Sequence, residues 1–371
     1  MKRIVLKVGT STLTHDTHGG PDRVYINALA AQIAAQIAAG REVVLVSSGA
    51  IRAGAARLNL SEAPRSLPDK QAAASVGQGV LMGLYADVFQ NYGIAVGQVL
   101  LTREDLRVRS RYLNARNTFE ALFRMGAVPI VNENDTVAVD EIRVGDNDTL
   151  AALVASLTDA DGMIILSDIS GLYDRNPAVF PDARLVERVE RVDAVTLAMA
   201  GGAGTPGGTG GMRTKLSAAR ICTASGVPMW IANGRGANVV ADCLNGVASA
   251  GTYFAPSPKR PSAKKRWLAW GGEPKGTLFV NICARRVLEE EGRSLLPVGV
   301  TGVDGIFAPG DTVRVIEDVT GEEFGRGVVR YDADSCRKLA GVTTGVMAAA
   351  ALRMETAPYS ELIHRDEMAL Y

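Results

Sequence analysis

The sequence predicts an α/β protein: an open, largely parallel sheet sandwiched by helices, followed by a second, small, mostly β domain. Three observations predict it. Apolar strand-like runs alternate with helical patterns through residues 1–255. A proline-rich basic stretch breaks the pattern near residue 256. Beyond it, short strands separated by glycine-containing turns take over. A length of 371 residues suits about two domains of roughly 150 residues each.

The elements follow in order. Ile4 to Val8 reads as a buried strand ending in Gly9-Thr10-Ser11. A helix is expected from Asp22 to Ala39, because Ile26, Leu29, Ile33 and Ile37 step by three or four and share one face; Gly40 stops it. Val43 to Val46 is the next strand, broken by Ser47-Ser48-Gly49. Further strands are expected at Ile94 to Leu101, Val128 to Val131, Met163 to Leu166 and Val227 to Ile231. Right-handed crossovers between parallel strands would gather the loops that follow them on one edge of the sheet. Residues 256–272, with Pro256, Pro258, Lys259, Arg260, Pro261, Lys264, Lys265 and Arg266, read as a linker. The second domain, 273–371, is expected to carry strands at Thr277 to Asn281, Val298 to Val303, Thr312 to Ile316 and Gly327 to Arg330, with one helix from Ala284 to Glu291.

Composition excludes several function classes. Lys+Arg and Asp+Glu balance at 40 each, so no net charge draws the chain to nucleic acid or a membrane. Cys222, Cys243, Cys283 and Cys336 are scattered, with no CxxC pair, which argues against a zinc knuckle or disulfide framework and for a reduced, cytoplasmic setting. No run of about 18 apolar residues suggests a membrane span. The only histidines are His15, His18 and His364, near the chain ends, which excludes a Ser-His-Asp triad or a multi-histidine metal site in the central chain. Lysines, carboxylates, hydroxyls and backbone amides are left to carry the chemistry.

Four clusters fall at the ends of expected strands. In Lys7-Val8-Gly9-Thr10-Ser11, a lysine late in a buried strand needs an anionic partner, and Gly9 lets the backbone approach a ligand; a surface lysine on an edge strand is the alternative, and this cluster alone does not choose. Ser47-Ser48-Gly49-Ala50 leads into a helix whose amides can hold an anion, or it is an ordinary cap. Asn132-Glu133-Asn134-Asp135 and Gly145-Asp146-Asn147-Asp148 are denser in polar side chains than turns and caps require, which favours ligand binding; a carboxylate there would pair with the ammonium of an amino acid. Residues 146–148 would cap the helix marked by Leu150, Leu153 and Leu157. Gly208-Thr209-Gly210-Gly211-Met212-Arg213-Thr214-Lys215 opens a helix with exposed amides and a lysine, yet lacks the GxxxxGK[ST] spacing of a P-loop. Together these parts suit phosphoryl transfer, which depends on positioning and fixed charge. A carboxylate acceptor, ionised above a pKa of about 4.3, needs no general base.

Lys7-Val8-Gly9-Thr10-Ser11, Ser48-Gly49-Ala50-Ile51, Asn132-Glu133-Asn134-Asp135, Gly145-Asp146-Asn147-Asp148 and Gly208-Thr209-Gly210-Gly211-Met212 resemble, in order and spacing, the motifs of the bacterial glutamate 5-kinases, an amino-acid kinase family with a C-terminal PUA domain. The likeness spans nearly the whole chain. It implies an amino-acid kinase domain over 1–255 and a PUA-like domain over 273–371. It implies ATP-dependent conversion of L-glutamate to L-glutamyl 5-phosphate with Mg2+, the first step of proline synthesis, with L-proline as inhibitor and a homo-oligomeric enzyme. By motif match, Lys7 and Lys215 would stabilise the transferring phosphoryl and Asp146 would orient them. Ser48, Asp135 and Asn147 would hold glutamate. Lys7, Ser167, Asp168, Thr209, Gly210, Gly211, Met212, Arg213, Thr214 and Lys215 would hold the nucleotide. Ser167 stands where the family more often has threonine, and Asn176 replaces a common aspartate before Pro177. Kinases of N-acetylglutamate, aspartate, carbamate or nucleoside monophosphates would share the sheet and lysines but not this tail. An RNA-binding role for the tail is disfavoured by its 11 Lys+Arg against 16 Asp+Glu.

Overall fold

The computed structural model describes residues 1–14, 20–138, 147–200, 211–272, 274–342 and 359–371. They fall into two compact units, Met1–Arg260 and Pro261–Tyr371.

The first unit begins with β1 (Arg3–Val8), α1 (Thr10–Leu13), α2 (Arg23–Ala38), β2 (Glu42–Val46), α3 (Ala50–Arg57) and the long α4 (Leu67–Gln90). There follow β3 (Val96–Leu101), α5 (Arg103–Arg107), α6 (Arg109–Arg124), β4 (Val128–Glu133), α7 (Asn147–Leu157) and β5 (Gly162–Ser167). The unit ends with β6 (Arg188–Val189), α8 (Ala194–Ala198), α9 (Met212–Ala224), β7 (Met229–Asn233), α10 (Val239–Leu244) and β8 (Thr252–Phe254). The strands form one sheet in the order β3-β4-β2-β1-β5-β7-β8-β6. Every neighbouring pair is parallel except β7 with β8. The central strands β1, β2 and β5 are buried on both faces, which is why they read as unbroken apolar runs rather than as alternation.

Strand periodicity decides which layer each residue meets. Ile4, Leu6 and Val8 of β1, Val43 and Leu45 of β2, and Ile164 and Leu166 of β5 pack in one cluster with α2, α4 and α10. The intervening residues, Val5 and Lys7 among them, face the other layer, which holds α7 and α9; Cys222 of α9 touches Met163 of β5 there, Sγ to Sδ 3.3 Å. Because the chain alternates faces, Lys7 is delivered to the α7/α9 layer by the same pattern that buries its apolar neighbours. Each fully buried Val, Leu or Ile stabilises the fold by about 2 kcal/mol, so β1 has ample apolar stabilisation to hold a buried ammonium at its end.

Helix α4 is long and apolar enough to cross a membrane by length and composition, although no apolar run in the sequence suggested one. In the fold it is a core helix, with Ala73, Ala74, Gly77, Leu81, Tyr85, Val88 and Phe89 buried. Ser66 caps its start and Pro68 occupies the first turn, where a missing N–H costs nothing. It crosses α3 at backbone contact: a Cβ on Gly77 would lie 1.8 Å from the Ala50 carbonyl oxygen, and one on Gly54 would lie 1.7 Å from that of Ala73.

The second unit contains α11 (Ala263–Trp270), β9 (Gly276–Val280), α12 (Ile282–Glu291), β10 (Val300–Gly305), β11 (Thr312–Glu317), β12 (Glu323–Val328), α13 (Ala333–Leu339) and β13 (Met368–Leu370). Its sheet runs β10-β9-β11-β12-β13, with only β9 and β11 parallel. Two expectations are corrected here. The strand placed at 327–330 lies at 323–328, because Glu323 to Val328 pair with β11 while Val329 closes the turn onto Asp311. The stretch 256–272 is not linker throughout. Ser262 caps α11, whose Leu268 and Ala269 pack with Ala369, and Trp270 stacks on Tyr371 at 4.7 Å between ring centroids. The prolines and basic residues masked that apolar Trp267-Leu268-Ala269-Trp270 segment in the sequence.

The α3–α4 crossing generates a paired prediction. Gly77→Ala places a methyl against backbone and is expected to destabilise by about 3 kcal/mol. Gly79→Ala, where nothing lies within 4 Å, is expected to stabilise by roughly 0.5–1 kcal/mol through helix propensity. Urea denaturation of the two variants checks both signs.

Candidate active site

Strands β4, β2, β1, β5 and β7 are neighbours and run the same way, so their carboxyl ends share one edge of the sheet. That edge carries Lys7, Ser47 and Ser48, Asn132 to Asp135, Ser167, and Asn233. Here an open α/β sheet leaves a crevice, since the helices that follow diverge to opposite faces.

Three buried charges meet at this edge. Asp148, in the first turn of α7 and 0% exposed, takes the Lys7 ammonium on Oδ1 at 2.5 Å and the Lys215 ammonium on Oδ2 at 3.3 Å. The Thr214 hydroxyl donates to the same Oδ2 at 3.0 Å. Lys7 and Lys215 are themselves only 6% and 5% exposed. Burial alone would raise the Asp148 carboxyl, but the charges of Lys7 and Lys215, with hydrogen bonds from Lys7 and Thr214, hold it well below the usual carboxylate range. The trio therefore keeps one negative and two positive charges and presents a fixed net positive charge at the strand ends.

Helix α9 supplies Thr214 and Lys215 from its first turn. Its cap residue, Gly211, has no side chain to accept from the first-turn amides, so among the described residues the amides of Met212 and Arg213 and the partial positive end of the helix stay available to an anion. Arg213 is exposed, whereas Thr214 and Lys215 turn inward.

A polar cluster lies beside the trio, one residue away on α7. The Asn147 amide nitrogen donates to the Ser47 carbonyl at 3.1 Å, the Ser48 hydroxyl at 2.9 Å and Asn132 Oδ1 at 3.1 Å. Asn132 Oδ1 also accepts from the Glu133 amide. With the nitrogen held on three oxygens, Asn147 Oδ1 is buried without a partner among the described residues. A buried acceptor in that state can take a donor from a ligand or an ordered water. Gly49, at φ +89°, makes the turn into α3 that a side chain would strain. Asp135 lies in the turn after β4, and burial raises its pKa to about 6. At the end of β5 the Ser167 hydroxyl donates to the exposed Asp168 carboxylate at 3.0 Å.

Lys7, Thr214 and Lys215 thus meet on one carboxylate, and Ser48 and Asn147 meet in the adjoining cluster. Ser167, Asp168 and Asp135 share the sheet edge with them. Asp146, Thr209 and Gly210 lie outside the described residues. The carboxylate that holds both lysines is Asp148, which the sequence reading placed in the 145–148 polar cluster and helix cap without a role of its own, giving the orientation of the lysines to Asp146. Asn132, which fixes the Asn147 amide, was also not singled out as a site residue. A signal for Asp148 existed: residues 150–157 make α7 apolar all round, and a carboxylate in the first turn of such a helix needs a buried partner. Among the described residues no group of three His, Cys, Asp or Glu side chains could hold a metal ion.

Comparison with known proteins agrees with this architecture. Residues 2–233 match the profile described as "Amino acid kinase family", and 276–344 match that of the PUA domain. Over 367 residues the chain is 48% identical to the glutamate 5-kinase of Moorella thermoacetica, covering 99% of this chain and 96% of that protein. It is also 48% identical to that of Anaeromyxobacter dehalogenans over 373 residues, covering 100% and 96%. Among solved structures, carbamate kinase from Giardia lamblia bound to AMP-PNP superposes with a TM-score of 0.50 at 18% identity, over 69% of this chain and 99% of that one, a likeness of fold.

The trio yields a test on stability. The depressed carboxyl binds fewer protons in the folded than in the unfolded chain, so its contribution is fully present above the ordinary carboxylate range and is lost as pH falls through the folded value. Asp148→Asn is expected to cost about 3–5 kcal/mol at pH 7 by leaving two buried cations uncompensated. The gap to wild type should narrow below pH of about 4. Urea unfolding at pH 7 and at acid pH measures it, and an equal gap at both would remove the ion pairs as its source.

Proposed function

The chain belongs to the amino acid kinase family and, within it, to the glutamate 5-kinases, and from that premise we propose that it transfers the γ-phosphoryl group of ATP to the side-chain carboxylate of L-glutamate. The observation that carries the reading is the meeting of Lys7 and Lys215 on Asp148. A carboxylate oxygen attacks the γ-phosphorus, the bond to the β–γ bridging oxygen breaks, and ADP leaves with that electron pair. The acceptor is anionic throughout, so no proton has to be removed and no general base is needed. What the reaction needs is positive charge that does not reorganise as charge spreads over the phosphoryl oxygens. Two ammoniums locked on one buried carboxylate meet that need. One such donor is typically worth about 3 kcal/mol in the transition state.

The remaining groups divide between the two substrates. The first turn of α9, from Gly211 to Lys215, is suited to the nucleotide phosphates, and Ser167 and Asp168 to the rest of the nucleotide. Mg2+ would enter with the nucleotide, held largely by phosphates and water, with the aspartates of the 132–135 and 145–148 clusters as candidate protein ligands, and would offset charge on the transferring phosphoryl. Ser48, the unpartnered Asn147 Oδ1 and the Asp135 carboxylate are suited to the amino acid, with the ammonium drawn to Asp135. Asp146, Thr209 and Gly210 retain their proposed parts from the motif match alone. The product would be L-glutamyl 5-phosphate, the first intermediate of proline synthesis. Inhibition by L-proline, self-association and a cytoplasmic setting belong to the same proposal and rest on the resemblance.

Trapping with hydroxylamine tests the acceptor: hydroxamate is expected with glutamate and ATP, whereas formation with N-acetylglutamate and not glutamate would reassign the substrate. Lys215→Ala is expected to lower kcat by roughly 10²–10³-fold while circular dichroism remains native. Asp135 generates a pH test. Below a pH of about 6 its carboxyl is protonated and loses its attraction for an ammonium, so kcat/KM for glutamate should fall about tenfold per pH unit there. Asp135→Asn should weaken glutamate binding and flatten that limb. Because the folded pKa is raised, the ionised group opposes folding at neutral pH, so Asp135→Asn should also stabilise the ligand-free protein at pH 7.

A further inference from the structure

The second polar contact of the Ser47-Ser48 turn has no part in the function described so far. Ser47 and Ser48 continue β2 past Val46, and strand alternation sends them to opposite layers. Ser48 meets Asn147 of α7. Ser47 Oγ lies 2.9 Å from the hydroxyl of Tyr85, a 1%-exposed residue of α4. The Ser47 carbonyl accepts from Asn147, its amide donates to the Val131 carbonyl of β4 at 2.8 Å, and its hydroxyl also reaches the Ser48 carbonyl at 3.2 Å. Every polar atom of Ser47 is thereby engaged, and Tyr85 is the group that ties it to the helical layer.

Tyr85 lies eight positions beyond Gly77, on the same face of α4, and Gly77 is the residue that abuts the Ala50 carbonyl. On the N-terminal side of Gly77 on the same helix, the Gln71 side-chain amide donates to the Ala138 carbonyl at 3.0 Å, at the end of the turn that carries Asp135. One helix thus grips the turn 47–50 from both ends and steadies the loop after β4. We propose that Tyr85 is a positioning residue for the acceptor site: its hydroxyl fixes Ser47, which sets the Ser48 hydroxyl and the Asn147 amide for the amino-acid substrate. Tyr85 is buried under the turn and acts through Ser47.

The inference rests on the reading of Ser48 and Asn147 as acceptor-binding groups, and its test separates the two. Steady-state kinetics of the full chain are measured first for wild type with glutamate, or with whichever acceptor in a panel it turns over; failure of the functional reading appears at that step. Tyr85→Phe, Ser47→Ala and the double variant are then compared. Tyr85→Phe keeps the buried ring and removes one oxygen. It is expected to raise KM for the acceptor roughly five-fold, with KM for ATP and kcat within about two-fold, the effect of one buried hydrogen bond. The double variant should be no worse than Ser47→Ala alone, because both substitutions delete one interaction. An unchanged acceptor KM in Tyr85→Phe, an equal rise in both KM values, or multiplying effects in the double variant would overturn the inference. If Tyr85→Phe does not fold, Ser47→Ala removes the same bond from the other end and is read by the same criteria.

Discussion

A buried carboxylate shared by two buried ammoniums is the constraint on which the first unit depends. Neither lysine could be enclosed alone, because an unpaired charge in an apolar layer costs several kcal/mol and would shed its proton instead. Asp148 makes both tolerable, and the net positive charge left over is what a phosphoryl group in transfer requires. The trio also joins three separate elements, the end of β1 and the starts of α7 and α9. The charge site therefore exists only where these three elements are packed together.

The neighbouring residue on α7 extends the arrangement. Asn147 ties its nitrogen to oxygens from β2 and β4 and leaves its own oxygen unmatched. On the proposed reading, successive residues of one helix start would serve the two substrates: Asp148 would set the charge for the phosphoryl group, and Asn147 would offer its oxygen to the amino acid. Such coupling ties acceptor placement to the lysines with little slack, which matters because small misplacements cost large factors in rate. Behind the acceptor side stands α4, whose glycine crossing with α3 and contacts from Gln71 and Tyr85 give the turns a rigid backing. Asp135, by contrast, is held in an environment that disfavours its own ionised form, a strain that binding of a cationic group would relieve.

The second unit shows where composition misleads. Prolines and basic residues from 256 onward suggested a linker, yet Ser262 starts a helix there and two tryptophans bring it into the packing of that unit. Short-range composition records how often such residues lie in loops. It does not record that one turn of helix can bury its apolar side when a strand from 100 residues later, β13, is there to receive it.

The sequence by itself determined the alternation of strands and helices, the parallel sheet, the change of architecture near residue 256, and the placing of polar clusters at strand ends. These are local properties: periodicity, glycine and proline positions, and motif spacing act over a few residues. It also marked Lys7, Lys215, Ser48 and Asn147 as site candidates. Only the tertiary structure decided that Asp148 is the carboxylate between the lysines, that Asn132 anchors Asn147, and that Tyr85 reaches Ser47. Partners separated by 15 to 141 positions are chosen by the order of strands and by which face each residue takes. A one-residue change in register would exchange every one of them.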